Sequence, residues 1–297
     1  MTLLNSIGEI DKLKVYVVAE DYAGYESPLL AQHGISILLE TYGNDLVKPF
    51  RILFDAANNS EALLYNMKLL DIDPKKIDAV VISHCHWDHT GGLIGVLKAI
   101  KKENLPVIAH PEVFKVNITF EPYLKSEGVP YNCTVENIES LGCKLILTKN
   151  PVKIVNGIMT TGQIERTTEF EKGGIFTFTV VNGNLVPDEI LDDMALIVNI
   201  KDKGLVIFTG CGHAGIVNTV LHSMKITGVR KVHAVFGGFH LLNASEERIR
   251  KTVEELKKLG VEEVYSGHCT GFRAHMEFYK KYGEKFHRIH SGYTTIF

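Results

Sequence analysis

The sequence predicts an α+β fold of αββα type, in which two mixed β-sheets pack face to face and helices cover their outer surfaces. Short apolar stretches rich in β-branched residues alternate with stretches of helical period along the 297 residues, a pattern typical of sheets covered by helices. The two halves also share one order of elements: a strand, then a histidine-bearing loop, then a helix. Because no short-period repeat and no Gly/Ser linker separates the halves, we expect one domain over residues 1–297.

Composition excludes several classes of protein. Hydrophobic residues make up 45% of the chain and charged residues 23%, which is ordinary for a globular protein. A net charge of −3 without a long basic run predicts no nucleic-acid partner. We also expect no membrane span and no secretion signal. Five scattered cysteines favour reduced thiols in the cytoplasm over a disulfide framework, and the oligomeric state stays open.

The first half of the chain alternates strands with helices. Residues 77–82 form a short, β-branched run bounded by polar residues, which predicts a buried strand. Loop 20–34 is expected to run near the mouth of a site. The predicted strands are residues 12–19, 35–40, 51–54, 77–82 and 107–109, and the predicted helices are residues 61–70 and 93–102.

Residues 111–156 are aromatic and are interrupted by prolines. A lid or substrate-pocket insertion fits this pattern, and a plain surface excursion fits it equally well.

The second half repeats the alternation. Ser245 precedes a helix whose first residues are Glu246 and Glu247, an arrangement that predicts an N-terminal cap. The predicted strands are residues 157–161, 175–181, 194–200, 204–208, 232–236 and 263–265 with a last strand near the C-terminus, and the predicted helices are residues 216–227, 246–259 and 273–282.

The loop over residues 83–92 carries the strongest functional signal. His84, His86, Asp88 and His89 lie within six residues, directly after the buried strand. Imidazole and carboxylate together suit zinc, iron or manganese. In an extended loop, His84 and His86 project to the same side, whereas Asp88 and His89 lie where the chain turns into a helix. The spacing therefore favours two adjacent metal ions over one.

Three later strands also end in loops that carry histidine, namely His213, His240 and His268. Cys211 lies in the first of these loops, where it could bind a metal as a thiolate or simply pack. His240 could face a substrate as a hydrogen-bond donor or could be a core histidine bonded to the backbone. The four histidine loops place a site between the ends of the two predicted sheets.

With these residues the chain resembles the metallo-β-lactamase superfamily, whose first motif is His-x-His-x-Asp-His. Cys211 stands where the superfamily carries a bridging aspartate, and His268 stands where its last histidine ligand occurs. Residues 187–193, 209–217, 237–242 and 268–271 are similar to a narrower branch. That branch is named for 7,8-dihydropterin-6-methyl-4-(β-D-ribofuranosyl)aminobenzene-5′-phosphate synthase.

The resemblance also implies a ligand set. Gln163 stands where the superfamily has its third histidine, and glutamine is a poor ligand for zinc, so His213 is the expected replacement. The expected metal ligands are His84, His86, Asp88, His89, Cys211, His213 and His268.

We expect a metal-dependent hydrolase that acts on a small anionic, phosphate-containing substrate. Two divalent ions, with zinc favoured over manganese or iron, would lower the pKa of a bound water to about 7. Asp88 would orient that water, and His240 would contact the substrate. The alternatives are the synthase, in which a pterin-methyl pyrophosphate is attacked by an aromatic partner carrying a ribose phosphate, an iron-dependent redox protein, and a non-catalytic sensor.

Overall fold

The computed structural model describes residues 7–43, 48–172 and 177–297. Within those ranges the strands, in chain order, are β1 (Lys12–Ala19), β2 (Ser36–Tyr42), β3 (Phe50–Phe54), β4 (Ala79–Val81), β5 (Pro106–Ala109), β6 (Ile118–Thr119), β7 (Lys125–Ser126), β8 (Lys144–Leu147), β9 (Lys153–Val155), β10 (Ile158–Thr160), β11 (Phe178–Val181), β12 (Asn184–Pro187), β13 (Ala195–Ile200), β14 (Gly204–Thr209), β15 (Val232–Gly237), β16 (Glu263–Ser266), β17 (Phe286–Arg288) and β18 (Thr294–Ile296). The α-helices are α1 (Ser60–Leu69), α2 (Trp87–Thr90), α3 (Leu93–Ile100), α4 (Val135–Ser140), α5 (Ile216–Thr227), α6 (Glu246–Lys258) and α7 (Phe272–Tyr282). Short 3-10 turns cover Pro74–Lys76, Pro111–Phe114, His268–Thr270 and Gly283–Lys285.

Two seven-stranded mixed sheets form the centre of the fold. The first has the order β18-β1-β2-β3-β4-β5-β8, and the second has the order β17-β16-β15-β14-β13-β10-β9. In the first sheet β3, β4, β5 and β8 are parallel neighbours. In the second sheet β14, β15, β16 and β17 are parallel neighbours. Each sheet thus joins an antiparallel part to a parallel part, and in this respect the two sheets have the same construction.

Three apolar clusters confirm the predicted αββα layering. The period-2 alternation of strand side chains divides β14 between two of them. Leu205 and Ile207 pack with the helices α5, α6 and α7, whereas Val206 and Phe208 point into the core between the sheets, where they meet residues such as Phe54 of the first sheet. The third cluster covers the other face of the first sheet with α1 and α3.

Most predicted elements are confirmed with shifts of one to three residues. Ser245 caps α6, because its hydroxyl accepts from the backbone N–H of Arg248 at 3.2 Å. The strand predicted at 77–82 is shorter, Ala79–Val81. Of the strand predicted at 175–181, residues 175 and 176 lie outside the described residues, and the described part begins at Phe178.

A third, small antiparallel sheet, ordered β12-β11-β6-β7, was not predicted. It joins β6 and β7, from within residues 111–156, to β11 and β12. The rest of residues 111–156 is more than a surface excursion, since it contains β8 and β9, which are edge strands of the two main sheets. A lid role for the part around β6 and β7 stays a prediction.

Among the described residues, no helix combines the length and the apolar character needed to cross a membrane.

Candidate metal centre

The histidine loops meet because they follow strands whose carboxyl ends share an edge. In the second sheet the parallel strands β14, β15 and β16 are followed by His213, His240 and His268. In the first sheet β4 is followed by His84, and a backbone hydrogen bond of 2.9 Å from the N–H of Met194 to the carbonyl of Ser83 ties this loop to the start of β13. The two sheets thus present their loops to one common space.

His84, His86 and His213 form the first group of ligands. Nε2 of His84 lies 3.1 Å from Nδ1 of His86, so the two rings present converging nitrogens, as the sequence predicts. The ring of His213 is centred 4.8 Å from His84 and 4.9 Å from His86. His213 Nε2 is buried and has no hydrogen-bond partner within the described part of the chain. A buried nitrogen without a partner is costly unless something binds it.

Asp88, His89 and His268 form the second group. One carboxylate oxygen of Asp88 lies 3.4 Å from Nε2 of His89 and 3.2 Å from Nε2 of His268. Cys211 Sγ is 3.2 Å from each of the same two nitrogens. Cys211 Sγ also lies within 4.8 Å of ligand atoms of His84 and His213. The sulfur is therefore placed between the two groups.

Asp55, at the end of β3, orients the first loop. Its carboxylate accepts from Nδ1 of His89 at 2.7 Å, from the hydroxyl of Ser83 at 2.7 Å and from the N–H of Ser83 at 2.7 Å. The Ser83 hydroxyl in turn lies 2.9 Å from Nδ1 of His84. Nε2 of both histidines is thereby left for the centre, in the way that carboxylates orient metal-binding histidines. Asp55 was not predicted as a site residue, although its place directly after a predicted strand was a usable signal.

Loop 20–34 orients the last ligand. Nδ1 of His268 lies 3.1 Å from a carboxylate oxygen of Asp21. The backbone N–H of His268 donates to the buried carboxylate of Glu20, and this burial raises the pKa of Glu20 to about 7. His268 itself has a left-handed backbone, with φ of 49°, a conformation that needs such support outside glycine.

The charges of the two groups differ. Burial, together with the neighbouring imidazoles, holds the pKa values of His84 and His213 well below the usual range, so these rings are neutral. Burial opposes protonation of His89 as well, but Asp88 and Asp55 outweigh it and raise the pKa of His89 to about 10. Neutral imidazoles are the form that binds metal, and the second group already concentrates positive charge around one carboxylate.

An acidic loop between β12 and β13 connects the two ligand loops. Asp192 accepts from the backbone N–H of Cys85, between His84 and His86, at 2.7 Å. Asp193 accepts from the backbone N–H of Ala214, next to His213, at 2.7 Å. Burial raises the pKa of Asp193 to about 7. One short segment thus fixes the backbone on both sides of the first ligand group.

The same loop attaches the small third sheet. The ammonium group of Lys115 lies 2.5 Å from Asp192 and 2.8 Å from Asp188. Ile190, between these aspartates, has φ of 52°, which is unfavourable for a β-branched residue. Its carbonyl accepts from Arg166 at 2.8 Å and its N–H donates to Asp188 at 2.8 Å, and these bonds hold the strained turn.

His33 and Trp87 lie together beside the second group. Their rings are centred 5.3 Å apart, and Nε2 of His33 is 3.5 Å from the carboxylate of Asp88. The indole N–H of Trp87 donates to Glu127, beside β7, at 2.6 Å. Loop 20–34, as predicted, and the third sheet therefore both reach the centre.

The remaining predicted residues also have definite places. Cys85 packs in the apolar cluster under α1 and α3. The side-chain oxygen of Gln163 lies 3.3 Å from Nε2 of His110. His240 is centred 4.1 Å from His213. All seven predicted ligands thus converge, and their roles stay predictions.

The donor set fits a divalent transition metal. It combines imidazole nitrogens, one carboxylate and one thiol, which are ligands that zinc and iron accept in proteins. Two groups of described donors, His84 with Cys211 and His213, and Asp88 with His89, Cys211 and His268, each place one ligand atom per residue within 4.8 Å.

Comparisons with known proteins concern the family and the fold of the chain. The model of the metallo-beta-lactamase superfamily matches residues 50–159. The chain is 46% identical over 293 residues, 98% of each chain, to the 7,8-dihydropterin-6-methyl-4-(beta-D-ribofuranosyl)-aminobenzene-5′-phosphate synthase of Methanocaldococcus jannaschii.

Two solved structures are also similar. One is described as a metal-dependent hydrolase of the beta-lactamase superfamily, with a TM-score of 0.77, 28% identity, and coverage of 95% of this chain and 98% of that one. The other is a metallo-beta-lactamase fold protein of Bacillus subtilis, with a TM-score of 0.57, 15% identity, and coverage of 97% and 100%; this likeness concerns the fold alone.

Proposed function

We propose that this chain, which belongs to the metallo-beta-lactamase superfamily, is a metal-dependent synthase that joins a dihydropterin to a ribofuranosyl-aminobenzene phosphate. The observation that carries the proposal is the similarity to the Methanocaldococcus jannaschii synthase along almost the full length of both chains. The presence of the ligand cluster together with its orienting carboxylates supports an enzyme over a vestigial sensor, because burying such a cluster of charges is costly.

The proposed reaction is a displacement. The amino nitrogen of the aminobenzene forms a bond to the methylene carbon attached to the pterin. The bond from that carbon to the diphosphate oxygen breaks, and its electrons leave with pyrophosphate. The amine proton passes to solvent, so one C–N bond replaces one C–O bond without oxidation or reduction.

Two divalent ions would be held in this centre, zinc being the best match to the donors and manganese or iron being compatible. His84, His86 and His213 would hold one ion, and Asp88, His89 and His268 the other, with Cys211 between them. Bound there, the ions would supply Lewis acidity and positive charge toward an anionic leaving group.

The chain's own residues would position the substrates. Asp55, Asp21 and Asp192 fix the ligand loops through the contacts of 2.7 to 3.1 Å described above. Trp87 and His33 provide flat rings beside the centre, and flat rings suit an aromatic heterocycle. His240, next to His213, is placed to meet either the substrate or a cation.

A second candidate is hydrolysis of a phosphodiester, with Asp88 orienting the attacking water. The likeness to a metal-dependent hydrolase at 28% identity over 95% of the chain favours it. Both functions imply a small anionic substrate. We also propose a cytoplasmic enzyme without a nucleic-acid or membrane partner, in keeping with five free cysteines.

The test supplies metal-loaded protein with the dihydropterin methyl diphosphate and the ribofuranosyl-aminobenzene phosphate, and measures the joined product by mass spectrometry together with released pyrophosphate. We expect equal amounts of both, loss of both in Asp88→Ala, and retention of both in Asp78→Ala, which removes a carboxylate that pairs with Lys102 instead. A parallel assay with a chromogenic phosphodiester tests the second candidate. Cleavage of that ester without any joined product would overturn the synthase proposal.

A further inference from the structure

We propose that Cys211, Cys269 and His240 form a separate position for a thiophilic divalent cation, contiguous with the metal centre through the sulfur of Cys211. One ligand atom from each of the three residues lies within 4.8 Å of the others. The two ligand groups described above include neither Cys269 nor His240.

The fold explains why these three residues meet. They lie on the loops that follow β14, β15 and β16, and these strands are parallel neighbours whose ends share an edge. Contacts between the loops fix the sulfur of Cys269. The backbone N–H of His240 donates to Cys269 Sγ at 3.3 Å, and the thiol of Cys269 donates to the carbonyl of Cys211 at 3.3 Å.

A glycine allows the close approach of Cys269. A Cβ atom at Gly238 would lie 2.8 Å from Cys269 Sγ, closer than such atoms can approach without displacement. The sulfur thus occupies space that a side chain at this position would take. The same Cβ atom would lie 2.5 Å from the carbonyl oxygen of Gly210, so any other residue at 238 would require the loops here to shift.

The imidazole of His240 indicates that a ligand binds here. Its Nδ1 is buried, and no atom of the described residues hydrogen-bonds to it. Its backbone is left-handed, with φ of 47°, so the chain accepts strain to hold the imidazole in this place. A cation at Nδ1 would satisfy the nitrogen.

The spacing and the donors define the class of cation. Zinc binds sulfur at about 2.3 Å and imidazole nitrogen at about 2.0 Å, so the ligand atoms around one ion lie roughly 3 to 4 Å apart. Two sulfurs and one nitrogen favour soft or borderline cations such as Zn²⁺, Cd²⁺, Co²⁺ and Fe²⁺ over Mg²⁺ or Mn²⁺. Because Cys211 is shared with both other groups, we expect this position to be filled last.

The test is a titration of metal-free protein with Co²⁺, which reports each cobalt–sulfur bond by a charge-transfer band in the near ultraviolet. We expect the parent to bind a third equivalent after the first two, with a further rise of this band. Cys269→Ser should bind two equivalents and lack the further rise. Cys143→Ala is the matched control, since it removes another buried thiol, one that packs in the apolar cluster under α1 and α3, and should behave as the parent.

His240→Ala provides a second variant that keeps both sulfurs, and its third equivalent should bind at least tenfold more weakly. Circular dichroism and thermal unfolding of each variant identify any that do not fold. A third equivalent that is bound by Cys269→Ser with an unchanged band, or a parent that binds only two equivalents, would overturn the proposal. These readouts do not use catalysis, so they stand whether or not the synthase reaction is observed.

Discussion

Asp55→Asn tests whether the carboxylate behind His89 controls one half of the metal centre. Asp55 is fully buried and, as an ionised carboxylate, can only accept. In the neutral form that binds a metal, His89 must therefore carry its proton on Nδ1, 2.7 Å away, which leaves Nε2 free for the metal. An asparagine keeps one oxygen for the N–H of Ser83 but turns an NH₂ group toward His89. The N–H at Nδ1 of His89 would then face the NH₂ group of the asparagine, two donors in opposition. The imidazole avoids this by moving its proton to Nε2, the nitrogen that would bind the metal.

The expected magnitude follows from this exchange of tautomers. Loss of a residue that orients a metal ligand typically costs 10- to 100-fold in affinity, which corresponds to about 1.4 to 2.7 kcal/mol. We expect this loss for the ion held by Asp88, His89 and His268. A smaller loss is expected for the ion held by His84, His86 and His213, because the Ser83 hydroxyl connects Asp55 to Nδ1 of His84. The affinities are measured by competition with a chromogenic chelator, counting equivalents per chain.

Asp78→Asn is the matched control, since that carboxylate also accepts from a backbone N–H, at 3.0 Å from Arg51, but takes no part in the centre. If Asp55→Asn held both ions as tightly as the parent, the orienting role assigned to Asp55 would be wrong.

Three further predictions concern loop 20–34, the pH dependence of stability, and binding of the pterin. Gly34→Ala should lower the affinity for the ion at Asp88 at least tenfold, because a Cβ atom would lie 1.8 Å from the carbonyl oxygen of Asp88. Gly183→Ala is the control, since Gly183 also has a positive φ but has open space around it; if chelator competition gave equal affinities for the two variants, the steric reasoning would be wrong. Burial, with a nearby arginine, lowers the pKa of His275 to about 4, so its neutral form is favoured in the folded state and the associated stability is lost as pH falls from about 6.5 toward 4. Between pH 7 and pH 5 metal-free protein should lose about 2 kcal/mol of unfolding free energy through this residue, and denaturant titrations of His275→Gln should lack that part of the loss; an identical pH dependence in the variant would count against it. Trp87 is the single tryptophan of the chain, so binding of a dihydropterin beside it should quench the fluorescence in a saturable way, and an unchanged emission at saturating ligand would place the heterocycle elsewhere.

Much of the fold could be predicted because strand and helix periodicities are local. The strand at β14 is a clear case, since its alternating residues divide between two apolar clusters. The small third sheet could not be predicted in the same way. Its strands β6 and β7 have two residues each, and β6 pairs with the distant strand β11. Just before β6, Lys115 contacts the equally distant Asp188 and Asp192.

The candidate site likewise has residues that the sequence predicts and residues that only the fold brings to it. His84, His86, Asp88 and His89 lie in one short motif, so their chemistry is visible in the sequence. Asp55, Asp21 and Asp192 carry no motif, because their roles depend on distances to loops that are 28 to 247 residues away along the chain. Such partners become visible only when the sheets bring the strand ends together.

Anomalous X-ray diffraction from crystals grown with zinc tests the central claim most directly. The account predicts two strong peaks at the ends of the sheets, and a third, weaker peak beside Cys269 where the last position is filled. One peak should lie within bonding distance of His84, His86 and His213, the other within bonding distance of Asp88, His89 and His268, with the sulfur of Cys211 between them. A single peak, or a peak near Gln163 with the His213 ring turned away from both ions, would contradict the ligand assignment on which the proposed function rests.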